Sequence, residues 1–274
     1  MKNPILDHIS SLMCINCGSN DWNVEKERLS CKACSHHYST KGNQLITVNN
    51  HIKEQNWDKV SDGFDLFKGN ERPIMVDKLG GPRIKDLRKN LMVKGIAVNL
   101  GSGHDNHEGF INMDLGDYDP VHIIADLKKV PLMDGSVELI VSNSVLEHIY
   151  DYNAVIDEAF RILGEGGYFY LCVPTGGCVR HHKFDFHRWT TPGLHKLFEK
   201  RFEIIENGAC RGVAYALVFH VEALLTYKIK NKTLLSVGRW LWRLISRPLF
   251  WIKDEANEEY QALSHTIYVL AKKI

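Results

Sequence analysis

Ala97-Val98-Asn99-Leu100-Gly101-Ser102-Gly103 is a short apolar run that ends in two glycines one residue apart. Such a run reads as a buried strand. The glycines let the backbone turn sharply and approach a ligand with no Cβ in the way. Working outward, strand and helix signals alternate. The stretches 96–100, 110–115, 121–125, 137–141, 168–173, 202–205 and 265–271 read as strands. Helical spacing marks 83–93 and 152–163, where Val155, Ile156, Ala159, Phe160 and Leu163 share a face. Thr190 or Thr191 with Pro192 starts another helix over Leu194, Leu197 and Phe198. This alternation predicts an α/β fold with a mainly parallel, helix-covered sheet.

A lone Gly-x-Gly carries little weight, but two acids follow it in register. Asp114 ends the next strand, placed to accept hydrogen bonds from ribose hydroxyls, and Asp126 follows the third, in reach of an adenine amino group. A nucleotide-sugar dehydratase or another Rossmann oxidoreductase is the competing reading. The turn reads GSGHDN, without the full GxGxxG, and disfavours it.

The segments VNLGSG, NMDL, ADLKKVPLMDGSVELIVSNSVLEHI and FRILGEGGYFYLCVPT resemble the successive motifs of class I S-adenosylmethionine (SAM)-dependent methyltransferases, type 11-like, in the small-molecule and glycan-modifying branch. The resemblance spans roughly residues 96–206. It implies a Rossmann-like, seven-stranded methyltransferase fold. By position, Gly101 and Gly103 match the loop around the methionine part of SAM, and Asp114 matches the ribose carboxylate. Asp126 with Leu127 matches the adenine pocket, and Asn143 lies at the strand end facing the methyl group. Asn99, Ser102 and Leu115 belong to the same implied cofactor pocket. Two departures stand out. Only ten residues separate Gly103 from Asp114, so HDNHEG (104–109) replaces the first helix with a loop, and Glu165 stands where the family often has Pro. His148 reads better as a hydrogen-bonded structural residue than as a base.

At the N-terminus, Cys14-x-x-Cys17 and Cys31-x-x-Cys34 are separated by thirteen residues. Two such turns complete a tetrahedral four-sulfur site for structural zinc, with no position left open for catalysis. His36 or His37 is an alternative ligand, and Gly18 sits where the first turn needs positive φ. Residues 14–48 resemble the short zinc-ribbon domains fused or partnered to methyltransferases. The organisation expected is a ribbon over 1–48, a linker and helix over 49–95 with turn signals at Gly69-Asn70 and Gly80-Gly81-Pro82, and a methyltransferase domain over 96–274 with a helical insertion at about 208–263.

The acceptor side is expected after the fifth core strand, at the carboxyl edge of the sheet. There Asp185, His187, Arg188 and Trp189 cluster, with His181 and His182 as reserves. DFHRWTTPGL resembles the D-x-x-R-[FYW]-T motif of glycan and lipid-linked sugar methyltransferases. A hydroxyl acceptor needs a base, and histidine's intrinsic pKa suits that task. His187 is the candidate base, Asp185 its orienter or substitute, and Arg188 the fork for a phosphate or carboxylate. The same residues can instead pin the loop, with Arg188 paired to Asp185 and Trp189 in the core.

From Ala223 to Lys253 there is no acidic residue, while Lys228, Lys230, Lys232, Arg239, Arg243, Arg247 and Lys253 are basic. Arg239, Arg243 and Arg247 fall on one helical face, and Leu241, Leu244 and Ile245 near the opposite one. A basic, Trp-rich amphipathic stretch suits an anionic membrane surface, and a helical cover docked on the domain is the plainer alternative. The whole chain has 34 Lys+Arg against 33 Asp+Glu over 274 residues, so nucleic acid is not an expected partner. Asp7 and His8 interrupt any signal peptide, and seven cysteines fit a reducing compartment. The expected location is cytoplasmic, peripheral to the inner face of the membrane if the insertion binds lipid. The leading function is O-methylation of a saccharide or lipid-linked intermediate of envelope glycan synthesis. Its rivals are RNA base methylation, because some ribosomal RNA guanine methyltransferases carry a zinc knuckle, and a non-catalytic SAM-binding or zinc-ribbon adaptor.

Overall fold

The structure, a computed structural model, describes residues 5–48, 84–176, 184–251 and 257–274. The turns at 69–70 and 80–82, His181, His182 and Lys253 lie outside the described residues.

Seven strands form the core: β5 (Ile96–Leu100), β6 (Ile111–Asp114), β7 (Ile123–Ile124), β8 (Val137–Asn143), β9 (Leu163–Pro174), β10 (Phe202–Arg211) and β11 (Thr266–Lys273). They lie in the order β7-β6-β5-β8-β9-β11-β10. β5 to β9 are parallel, and β11 runs antiparallel to both neighbours. This is the Rossmann-like methyltransferase fold with a reversed last strand. The parallel strands are buried along almost their whole length, as a sheet covered on both faces requires.

Four shorter strands precede the core: β1 (Trp22–Glu25), β2 (Arg28–Cys31), β3 (His37–Lys41) and β4 (Gln44–Ile46). Together they form the ribbon, and β4 pairs in parallel with β7, Leu45 opposite Ile123 and Ile46 opposite Ile124. The ribbon therefore extends the core sheet to eleven strands. Its Leu12, Trp22, Tyr38 and Leu45 bury into one cluster with Ile123, Leu127 and Leu132 of the core.

α1 (Ile84–Asn90) is shorter than the 83–93 expected, because Met92 takes a left-handed φ of 55° that ends the helix. α2 (Tyr152–Ile162) is capped by Asp151 and buries Val155, Ile156, Ala159 and Ile162. α3 (Thr191–Phe198) starts at Thr190, whose side chain accepts from Gly193 N. The insertion begins at Val213 rather than at 208. Gly208 and Ala209 continue β10 and pair with Tyr268 and Ile267. It comprises α4 (Val213–Lys228), α5 (Lys232–Ser246) and α6 (Glu258–Leu263). Among the described residues, no helix is long and apolar enough to cross a membrane.

Candidate active site and metal centre

The parallel strands bring Gly101, Asp114, Asp126 and Asn143 to one edge of the sheet, at or just past their carboxyl ends. Gly101 and Gly103 take φ of 73° and 52°. A Cβ on Gly101 would strike Val145 at 2.3 Å, whereas one on Gly103 would meet nothing within 4 Å. Gly101 is thus required by packing, and Gly103 presents bare backbone toward the open side of the loop. Asp114 clamps that loop: Oδ2 accepts from Gly103 N and Oδ1 from Gly116 N, both at 2.8 Å. Burial raises the Asp114 pKa, against these backbone bonds, which favour its charged form. Two carboxylate oxygens offer about four acceptor positions, so ribose hydroxyls can still be accepted beside the two amides.

Ser102 is buried, and its Oγ has no hydrogen-bond partner among the described residues. An orphaned hydroxyl in the glycine loop suits a polar ligand there. Asp126 is partly exposed and accepts from Lys128 N at 3.0 Å. Leu127 is buried beside it, and Leu115 is half-buried after Asp114. Asn143 is half-buried at the end of β8, and the next residue, Ser144, holds an unusual φ of 57°. These residues fit the cofactor implied by sequence.

Asn99 faces inward instead. Its Nδ2 donates to Asn112 Oδ1 at 3.3 Å, and Asn112 Nδ2 donates to Asn106 Oδ1 at 3.1 Å. This network fastens the 104–109 loop, which is non-helical as expected, onto β6. Sequence reading missed Asn112, whose signal was an amide in the middle of a buried strand.

The loop before α3 separates the three candidate acceptor residues into two groups. Both guanidinium nitrogens of Arg188 hold Asp185, through Oδ1 and, at 2.6 Å, Oδ2. Trp189 is buried, and its N–H reaches Pro174 O at 3.1 Å. His187 packs edge-on to Tyr152 at 4.8 Å, with Nε2 at 3.0 Å from Tyr150 O. A carbonyl only accepts, so Nε2 carries the proton and Nδ1 keeps the lone pair. His148 holds the same loop through Phe184 O at 3.1 Å. Sequence reading also passed over Glu147, which is 4% exposed in the turn after β8, with Oε2 unpartnered among the described residues. Burial pushes its pKa up to about 7, opposed by the charge of Arg188 and Arg211.

In the ribbon, the four thiol sulfurs of Cys14, Cys17, Cys31 and Cys34 lie within 4.8 Å of one another. Cys14–Cys34 and Cys17–Cys31 are 3.7 and 3.6 Å apart. Tetrahedral zinc with bonds of about 2.3 Å needs sulfurs about 3.8 Å apart. The two knuckles repeat one geometry: Gly18 N bonds Cys14 O at 2.8 Å, and Ser35 N bonds Cys31 O at 2.9 Å. Their φ values are 78° and 60°, and only the first position is glycine. A hydrogen bond from Asn16 pulls the Cys34 thiol down to about 6, while contact with Cys34 helps push Cys17 up to about 12. His36 packs edge-on to Tyr38 and is not one of the four converging ligands.

A family model described as "Methyltransferase domain" matches residues 102–171, from the glycine loop into β9. Over those residues the chain is similar to a methyltransferase domain. A Mycolicibacterium smegmatis protein described as "Probable S-adenosylmethionine-dependent methyltransferase" is 39% identical over 49 residues, 18% of this chain. The match spans 19% of that relative's length. Among solved structures, a SAM-dependent methyltransferase of Thermotoga maritima aligns with a TM-score of 0.46 and 14% identity, over 69% of this chain and 87% of that one. The 1,6-didemethyltoxoflavin-N1-methyltransferase of Burkholderia thailandensis, solved with S-adenosylhomocysteine, aligns with a TM-score of 0.43 and 12% identity, over 68% and 74%.

Proposed function

We propose that the chain methylates an oxygen of a saccharide or lipid-linked intermediate of envelope glycan synthesis, with SAM as donor and zinc as a structural metal. One observation carries the donor half: the glycine loop is clamped by Asp114 at the carboxyl edge of a sheet with a reversed last strand. Bound there, SAM supplies a methyl group activated on a sulfonium. Gly103 backbone, Ser102 and Asp114 hold its polar parts, with Asp126 and Leu127 at the adenine end and Asn143 toward the methyl. A free hydroxyl must lose its proton as it attacks. The His187 tautomer leaves Nδ1 as the acceptor for that proton. Arg188 spends both terminal nitrogens on Asp185, so the pair fixes the loop and sets its positive charge beside the acceptor.

The lipid side of the reading draws on α5. Arg243 turns inward and pairs with Glu222 of α4 at 2.6 Å, while Arg239 is half-buried. The face that looks out is the apolar one, with Trp240 63% and Ile245 68% exposed beside Leu241 and Leu244. Lys228, Lys230, Lys232 and Arg247 are the exposed cations around it. An anionic bilayer matches that combination of apolar face and basic margin.

Calorimetry is the first test: Asp114→Ala should weaken SAM binding about tenfold or more, as a charge-assisted contact is lost. Incubation with methyl-labelled SAM and fractionated cells is the second. Label in lipid-linked saccharide supports the acceptor, and label in RNA replaces it. Bound SAM without transfer to any fraction makes the chain an adaptor. His187→Ala should lower mainly kcat and Arg188→Ala should raise mainly KM.

A further inference from the structure

His265 has no role in the account so far. It precedes β11 and is 3% exposed, its ring edge-on to Tyr215 at 5.1 Å and to Phe219 at 4.9 Å. Its backbone is fixed on both sides: N donates to Arg211 O at 2.7 Å and O accepts from Thr175 N at 3.1 Å. Neither ring nitrogen has a hydrogen-bond partner among the described residues. Burial, followed by the positive charge of Arg211, His220 and Arg188, pushes its pKa down to about 3. The ring is therefore neutral, with one N–H and one lone pair both unspent. A buried donor left without an acceptor destabilises the fold, so such a group calls for a partner.

Arg211 ends β10 beside it. The guanidinium lies over the Tyr215 ring at 5.5 Å, and no carboxylate is paired with it among the described residues. Arg211 and His265 share the Tyr215 ring, and the charges of Arg211 and Arg188 act on both Glu147 and His265. Asp185 already offsets Arg188. With Glu147 protonated below its pKa of about 7, the surplus is one cation and one buried N–H. Water would satisfy the N–H and leave the charge, whereas an oxyanion answers both.

We propose that the ends of β9, β10 and β11, roofed by the first turns of α4, form a pocket for a phosphate group of the acceptor, held by the fork of Arg211 and the buried N–H of His265, with Arg188 and Glu147 on the opposite wall. The word acceptor rests on the methyl-transfer reading, but the anion site does not. It gives the insertion a second task, because Tyr215 and Phe219 of α4 seat the histidine.

The probe is inorganic pyrophosphate, titrated into the full zinc-containing chain without SAM. Wild type should bind it, and Arg211→Gln should weaken it about tenfold or more. His265→Phe keeps the ring packed between Tyr215 and Phe219, so it should weaken pyrophosphate while leaving Tm unchanged or higher. Arg201→Gln, at the opposite end of β10, should bind as wild type. Equal binding by Arg211→Gln, no wild-type binding up to about 10 mM, or a His265→Phe protein that loses Tm but not the anion, each overturns the pocket. SAM titrated separately keeps the two readings apart. Pyrophosphate binding without SAM binding sinks methyl transfer and leaves the pocket, and the reverse sinks only the pocket.

Discussion

The sheet carries an addition at each edge, and different forces hold the two in place. At the β7 edge the ribbon is attached through backbone. Leu45 N donates to His122 O, Thr47 N to Ile124 O, Met13 N to Pro131 O and Met133 N to Ser11 O, all between 2.8 and 3.1 Å. At the β10 edge the helices α4 and α5 are held to each other by side chains. A buried ion pair joins Glu222 to Arg243, and Trp242 Nε1 donates to Val218 O at 3.3 Å. The ribbon turns its apolar residues into the shared core, and α5 turns its own outward. A backbone-joined addition rises and falls with the domain. A side-chain-joined one can loosen alone and is free to serve as a surface.

That contrast breaks first at the metal. Removing zinc by chelation, or replacing Cys31 with Ser, should lower Tm of the whole domain by roughly 10 °C or more, because several kcal/mol of folding energy come from such a site. SAM binding should weaken with it, since β7 leads into Asp126. A metal-free protein with unchanged Tm would make the ribbon a passenger. The matching cut at the other edge is Arg243→Ala, which leaves Glu222 buried and unpaired at a cost of about 3–5 kcal/mol. Hydrogen exchange should rise across α4 and α5 while the ribbon and SAM affinity stay as they were, and a uniform loss would show the insertion to be as fused as the ribbon.

Glu147 sharpens the comparison through pH. Its folded pKa of about 7 stands above the ordinary 4.5, so the folded state holds the extra proton between those values. Stability should therefore fall as pH rises from about 4.5 to 7, by roughly 3 kcal/mol from this group. Glu147→Gln should flatten that slope in denaturant titrations, and an unchanged slope removes the buried acid as its source. The smallest effect on stability is expected at α5. Trp240→Ser with Ile245→Ser should move stability by no more than about 0.5 kcal/mol per site. The same double variant should cut co-sedimentation with anionic vesicles several-fold. Replacing Lys228, Lys230 and Lys232 should remove the salt dependence of that binding. Vesicle binding unchanged by both sets would leave the exposed face without its membrane.

Much of this was legible before the structure. Two glycines after a buried strand, acids at successive strand ends and the paired cysteines are local patterns, and each sits where its spacing indicates. Orientation was not legible. The α5 sequence shows an apolar and a basic face, and the usual expectation turns the apolar one inward. A single buried carboxylate on α4, Glu222, reverses it by claiming Arg243. The pairing of β4 with β7 left no trace either, because two short apolar stretches carry no register. Glu147, Arg211 and His265 stand far apart in the chain, and nothing in their own neighbourhoods marks them as partners.

The β4–β7 ladder also fixes an order of events during synthesis. The ribbon leaves the ribosome before β7, and its two knuckles close on local contacts. Its last strand is different, because Leu45 pairs with Ile123. β4 therefore waits as an open edge, a template for strands of other chains, until β7 has been made. The knuckles need only residues near one another in the chain, while the join of β4 to β7 comes late, as a slow long-range closure.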